Sequence, residues 1–196
     1  MEYQENRSFI LLYTREVLPT EYPDGLARSI HMAYSRDGIH FEALHQNYGI
    51  LFAEATICAD GTISPKCVKN PWVYELPEGG YGIIAERVNE DGSVDGESDS
   101  KVLFWKTEDF IEFQSFGLVP CSADLLDFRQ DVSQLQGAVL PKGAVEGNVI
   151  EVRRSLCDRI VLHWSRIHNT EVCVPESIWA AFRRGTYKSL GDRNLF

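Results

Sequence analysis

Positive charge is scarce in this chain: 19 Lys and Arg stand against 29 Asp and Glu over 196 residues, a formal net charge of −10. A phosphate backbone needs a Lys/Arg-rich face and an anionic membrane needs a basic cluster, so neither nucleic acid nor membrane is an expected partner. Long apolar runs are missing as well, and none approaches the length that crosses a bilayer. The opening Met1–Arg7 is polar and acidic, without the basic-then-apolar order of a secretory signal, so a cytoplasmic chain is expected. Cysteine is sparse and odd in number: Cys58, Cys67, Cys121, Cys157 and Cys173 form no CxxC pair and no His-flanked metal spacing. They read as reduced packing thiols. No Gly-rich phosphate loop, GxSxG elbow or HExxH helix occurs, and His31, His40, His45, His163 and His168 form no triad pattern. Nucleotide hydrolysis, serine hydrolysis and zinc proteolysis lose their usual markers.

What is present is an ordinary folding composition, 44% hydrophobic and 11% aromatic, organised by an internal repeat. Ile30–Phe41 lies on Val102–Phe113 without a gap, placing Ser35 on Thr107, Asp37 on Asp109, Ile39 on Ile111 and Phe41 on Phe113. The shift is 72 residues, and the same shift lays Phe9–Arg15 on Tyr81–Arg87. Two blocks sharing one offset outweigh any single motif.

Each copy reads as β structure. Phe9–Arg15 and Tyr81–Val88 are short apolar runs bounded by polar residues, the pattern of buried strands. A long polar connection leads to a second strand (Ile30–Tyr34, Val102–Lys106), a Ser/Thr-x-Asp corner and a third strand from Phe41 or Phe113. The hydroxyl and the aspartate two residues on can each accept backbone N–H groups, so Asp37 and Asp109 read as turn residues, not catalytic acids. The second copy has an extra leading strand, Val68–Leu76, followed by a turn at Pro77–Gly80. Four antiparallel strands of this kind make one propeller blade. The first copy lacks a leading strand of its own, and Met1–Arg7 is too short and polar to serve.

This order of elements resembles the five-bladed β-propeller of glycoside hydrolase family 43. The likeness is carried by Ala33-Tyr34-Ser35-Arg36-Asp37-Gly38, Asn70-Pro71, Gly79-Gly80-Tyr81-Gly82 and Trp105-Lys106-Thr107-Glu108-Asp109-Phe110, between about Ser8 and Val119. The resemblance implies a mainly β fold: a partial propeller of about two blades over 1–125, then a small β-rich segment over 126–196. In that segment Pro141–Val152 reads as a turn and an alternating strand, Ser155–His163 as helix or strand, and Thr170–Pro175 as β. It resembles the start of an immunoglobulin-like insertion. From Phe182 onward strand period and cap logic stop, and an interruption of the natural sequence by truncation or frame change is expected.

The resemblance also implies an inverting hydrolase acting on arabinose- or xylose-containing glycans at the propeller's end face, an arabinofuranosidase or xylosidase. Such chemistry needs an acid and a base about 6.5–9.5 Å apart. The family places a key aspartate before the proline of an inner strand. Here that residue is Asn70, a substrate-binding candidate that cannot take a proton from water. In a general-base position it would largely abolish activity, in a supporting position catalysis would survive, and otherwise it is a polar residue starting a strand. The expectation is a hydrolase portion inactive alone or a non-catalytic carbohydrate-binding or assembly module. The start of the first strand and the end of the second share one face, which brings Asn70 towards Glu86 and Arg87, with Arg15 matching Arg87. Glu86 is the candidate acid or sugar-hydroxyl acceptor, against a salt-bridge role. Arg15 and Arg87 are candidate ligand donors, against simple ion pairing. Trp72 and Trp105 suit sugar stacking or the core, and Trp72 is the binding candidate.

No cofactor is expected. Calcium is conceivable at Asp24, Asp91, Asp95 and Asp99, although Asn89–Glu97 lacks EF-hand spacing. Two blades cannot close a ring, so the open edges should be covered by self-association or by a missing propeller portion.

Overall fold

The computed structural model describes residues 6–18, 24–122, 132, 135 and 137–167. It is mainly β, with antiparallel sheets that do not close into a ring among the described residues. The first sheet contains β1 (Arg7–Arg15), β2 (His31–Ser35), β3 (Glu42–Ala43) and β10 (Ala144–Arg153), in the order β10-β1-β2-β3. The second contains β6 (Lys66–Glu75), β7 (Tyr81–Asn89), β8 (Lys101–Thr107) and β9 (Gln114–Pro120), in chain order. A two-stranded hairpin, β4 (Thr56–Ile57) with β5 (Ile63–Ser64), joins them. Two α-helices, the single turn α1 (Asp24–Ala27) and α2 (Arg154–Ile167), and two short 3-10 turns, His45–Asn47 and Gly96–Ser98, complete the described elements.

The 72-residue shift holds to the level of individual pairs. β1 meets β2 through Phe9–Ser35 and Leu11–Ala33, and β7 meets β8 through Tyr81–Thr107 and Ile83–Trp105. β3 and β9 repeat the relation, Ala33–Ala43 becoming Trp105–Ser115. A register slip by one would turn every side chain to the other face, so identical registers keep equivalent residues on equivalent faces of the two sheets. The corners match bond for bond. Ser35 Oγ accepts from Gly38 N at 2.9 Å and Thr107 Oγ1 from Phe110 N at 2.8 Å. Asp37 Oδ1 accepts from Ile39 N and Asp109 Oδ1 from Ile111 N, at 2.8 and 3.0 Å. Both corners turn through a positive φ, at Gly38 (77°) and at Phe110 (58°). These aspartates are turn residues, as their spacing implied.

The leading strand of the first sheet comes from far along the chain. β10 pairs with β1 from Arg7–Arg153 to Arg15–Ala144, taking the place that β6 holds beside β7. The turn-and-strand reading of Pro141–Val152 is seen at Lys142–Gly143 and β10, but this strand completes the first sheet across the expected 125/126 boundary. Close packing fixes its sequence: a Cβ on Gly147 would sit 1.9 Å from Leu12 O. Ser155–His163 lies within the helix α2. Thr170–Pro175, Cys173 and Phe182–Asn194 lie outside the described residues.

One core lies between the sheets and under α2. Ile10, Leu12, Met32, Tyr34 and Leu44 of the first sheet face Ile83, Ala85, Leu103 and Trp105 of the second. α2 adds Cys157, Ile160, Val161 and Trp164, the i, i+3, i+4, i+7 stripe of an amphipathic helix, and Trp164 Nε1 donates to Phe110 O at 2.9 Å. Trp105 is therefore a core residue. A smaller cluster on the far side of the first sheet packs Leu11, Tyr13, Ala33 and Phe41 against Val132, Leu135, Ala138 and Leu140. The inner strands β6 and β10 are clamped by one side chain: Val73 N donates to Asn148 Oδ1 (2.7 Å) and Asn148 Nδ2 to Val73 O (2.9 Å). No described helix is long and apolar enough to cross a membrane.

Candidate functional site

The end of β1, the start of β6, the middle of β7 and the start of β10 meet at one rim. Glu146 of β10 lies at its centre. Its Oε2 accepts from Thr14 Oγ1 and from the Asn70 backbone N–H, both at 3.1 Å, and Lys69 Nζ stands 3.7 Å from its Oε1. Three strands from two sheets thus converge on one partly exposed carboxylate. Asn70 sits where β6 slips register between Lys69 and Trp72, with φ of 47°. Asparagine tolerates this left-handed backbone better than most residues, and the bulge turns its N–H out of the β6–β7 ladder towards Glu146. Glu86 lies across the ladder from Lys69, so Glu146 and Glu86 flank the same ammonium-bearing residue.

Beside this rim is a polar knot built on Asn47. His45, Gln46 and Asn47 are consecutive residues with φ of 53°, 54° and 62°, an unusual run outside glycine. Asn47 is what the run delivers. Its Oδ1 accepts from Tyr13 OH at 2.6 Å, its carbonyl accepts from Arg15 Nη1 at 3.1 Å, and its Nδ2 donates to Lys142 O at 3.2 Å. His31 is fully buried here, with Nδ1 3.1 Å from Asn47 O and Nε2 3.2 Å from Leu26 O. Burial lowers its pKa to about 4, outweighing the carbonyls that favour the imidazolium. At neutral pH it is an uncharged support for the β1–β2 end of the rim.

The expected neighbours are brought together unequally. Asn70, Glu86 and Arg15 lie at the rim. Arg87 occupies the place in β7 that Arg15 holds in β1, but it is enclosed by its own loop. Its Nε donates to Asp95 Oδ2 at 2.7 Å and its Nη2 to Glu97 Oε2 at 2.7 Å. Lys66 Nζ reaches the other Asp95 oxygen at 3.1 Å. Burial works to raise the Asp95 carboxyl, while hydrogen bonds from Ser98, Lys66, the Glu97 N–H and Arg87 overcome it and hold it down at about 2. Arg87 thus ties the Asn89–Ser100 connection onto the sheet, the ion-pairing role weighed against ligand donation. Trp72 is half-buried and pairs with Ile84, two residues along β7 from Glu86.

Among the described residues no group of three or more His, Cys, Asp or Glu side chains is placed to hold a metal ion. Asp91 instead accepts from Ser93 N at 2.9 Å, a local turn. Cys58, Cys67, Cys121 and Cys157 are free thiols, and burial pushes Cys157 up to about 11, which suits packing rather than reactivity.

No family model, curated protein or solved structure matches this chain.

The site therefore rests on geometry alone. A cleft of about 950 Å³ lies at the opposite end of the sheets, lined by Arg7, Glu75, Tyr81, Glu108, Glu151 and Arg153. Its Arg7–Glu151 pair, at 3.2 Å, joins two exposed side chains. The rim has what that cleft does not: a carboxylate shared by three strands, two stretches of left-handed backbone and a buried polar support. Glu146 was not singled out by sequence reasoning. The signal was the matching of inner strands, β10 with β6, which sets Glu146 beside Thr14 as Lys69 sits beside Glu86.

Proposed function

We propose that this chain is a two-sheet portion of a family 43-like glycoside hydrolase, and that its rim binds arabinose- or xylose-containing glycans without cleaving them on its own. The supporting observation is Glu146, a partly exposed carboxylate positioned by both sheets, with Lys69 beside it and Glu86 beyond. A carboxylate and an ammonium side by side offer an acceptor and a donor to neighbouring hydroxyls, the pattern that vicinal diols require. Arg15 and the Asn47 knot form the adjoining wall.

Binding without cleavage follows from Asn70. An inverting hydrolase activates water with a carboxylate base, and the amide at Asn70 cannot accept that proton. Glu86 is left as an acid without its base. Titration calorimetry with xylo- and arabino-oligosaccharides tests the binding. Measurable heats that Glu146→Gln reduces at least tenfold support it; no binding at millimolar ligand would overturn it. Aryl-arabinofuranoside and aryl-xyloside turnover should be absent in the native chain, and its appearance in Asn70→Asp would identify the lost base.

A further inference from the structure

Glu86 is shared by the rim and by the outer face of the second sheet. Residues directly opposite in neighbouring strands share a face, and Ile83 and Trp105 turn theirs to the core, so Ile84 and Phe104 face away from it. That outer face carries three rows. Lys69 and Glu86 form the first, Trp72, Ile84 and Phe104 the second, and Tyr74, Gly82 and Lys106 the third. Along β7 successive rows lie two residues apart, about 7 Å. The middle row is aromatic on both sides of a buried floor, Ile84: Trp72 and Phe104 are half-buried, and Phe116, 43% exposed, stacks on Phe104 at 5.2 Å. The flanking rows hold charges of both signs. Lys69 Nζ stands 3.7 Å from Glu146, and Lys69 pairs across the ladder with Glu86. On the far side Lys106 Nζ meets Glu78 at 2.9 Å and lies 5.9 Å from the Phe104 and Phe116 ring centres.

We infer that the sugar site continues from the rim along this face, so that its ligand is an oligosaccharide chain. One unit sits between Glu146, Lys69 and Glu86, and the next ones stack on Trp72 and on the Phe104–Phe116 pair. The inference rests on the sugar reading and specifies its ligand. The occupant follows from the chemistry of the rows. A sugar ring has C–H faces that pack flat on aromatic rings, and hydroxyls at its edge that both donate and accept. A row of rings bounded on either side by an ammonium–carboxylate pair meets both needs together. An apolar protein surface would bury those two pairs without giving them new partners, and four short strands offer less area than a specific protein interface needs. Nucleic-acid bases would stack on the rings, but their phosphates would meet a chain of net charge −10. A neutral glycan meets neither obstacle. Trp72 and Phe116 stand three strand spacings apart, about 14 Å, so the track is longer than one sugar.

Calorimetry of the full chain against xylo- and arabino-oligosaccharides of increasing length is the test. Affinity should rise about tenfold from the disaccharide to the hexasaccharide, and Phe116→Ala, with an unchanged far-UV spectrum, should remove most of that gain. Nuclear magnetic resonance of the unaltered chain adds a readout that needs no variant: the Trp72 indole N–H and the Phe104 and Phe116 amides should shift far more with the hexasaccharide than with a single sugar. Binding that Glu146→Gln weakens, but that is indifferent to chain length and to Phe116→Ala, overturns the extension and leaves the rim reading standing. So does a gain with length whose shifts fall in the cleft around Arg7 and Tyr81. No binding of any sugar overturns both readings.

Discussion

Two copies of one structural unit, 72 residues apart, have met different fates in this molecule. They share strand registers and corner hydrogen bonds, yet among the described residues the first is packed on both faces and the second on one. Leu44 is fully buried while Phe116, its equivalent, is 43% exposed. The corner and the ladder are local: a Ser/Thr hydroxyl and an aspartate two residues apart produce the same turn wherever the flanking strands allow it. Burial of the outer faces is not local, because it depends on which distant segment arrives to cover them. Among the described residues, the far face of the first unit receives Val132, Leu135, Ala138 and Leu140, whereas the face of the second that bears Phe116 receives no such cover.

The largest expected effect comes from the strand that completes the first unit. Gly147→Ala forces a Cβ into Leu12 O, and the first sheet should open, with a loss of about 4 kcal/mol or more in urea denaturation. The second unit has its own tether. Asp95→Asn leaves Lys66 buried without its counter-charge and Arg87 with Glu97 alone, and should cost about 3 kcal/mol in the same measurement. Matched truncations then compare the faces. Leu44→Ala should cost about 3 kcal/mol, whereas Phe116→Ala should cost about 1 kcal/mol or less. Equal costs would break the distinction. The smallest effects should also be the most alike: Asp37→Ala and Asp109→Ala each remove a corner acceptor and should lower the unfolding midpoint by similar, small amounts.

Acid should separate the units in order. His31, in the first, has a folded pKa of about 4, below its unfolded value of about 6.5. The unfolded chain therefore binds the proton first, and stability falls as the pH drops from about 6.5 to about 4. Asp95, in the second, has a folded value of about 2 against about 3.9 unfolded, so its contribution is present above pH 4 and is lost between about 4 and 2. Thermal melts across pH 7 to 3 should show the upper step vanish in His31→Gln and persist in Asp95→Asn.

Much of this was legible in the residues. The offset, the Ser35/Asp37 and Thr107/Asp109 corners and the leading strand before Pro77–Gly80 were all local patterns, and local patterns survive folding. The partner of β1 was not legible. Its strand, Ala144–Arg153, lies more than a hundred residues downstream, and neither turn chemistry nor periodicity records which edge a strand will join. The site inherited that gap. Asn70, Glu86 and Arg15 could be placed from the antiparallel geometry of single units, but Glu146 enters the rim only through β10. Arg87 matched Arg15 by position, yet Asp95 and Glu97, on a connection that the first copy does not share, fixed its partners.

Backbone amide exchange across β1 tests most directly whether a distant strand makes two like units. With β10 in place, every amide from Phe9 to Tyr13 lies between two neighbouring strands, and continuous slow exchange is predicted, comparable with that from Tyr81 to Ile84. Alternating fast and slow amides along Phe9–Tyr13 would mark β1 as a bare edge and contradict the account.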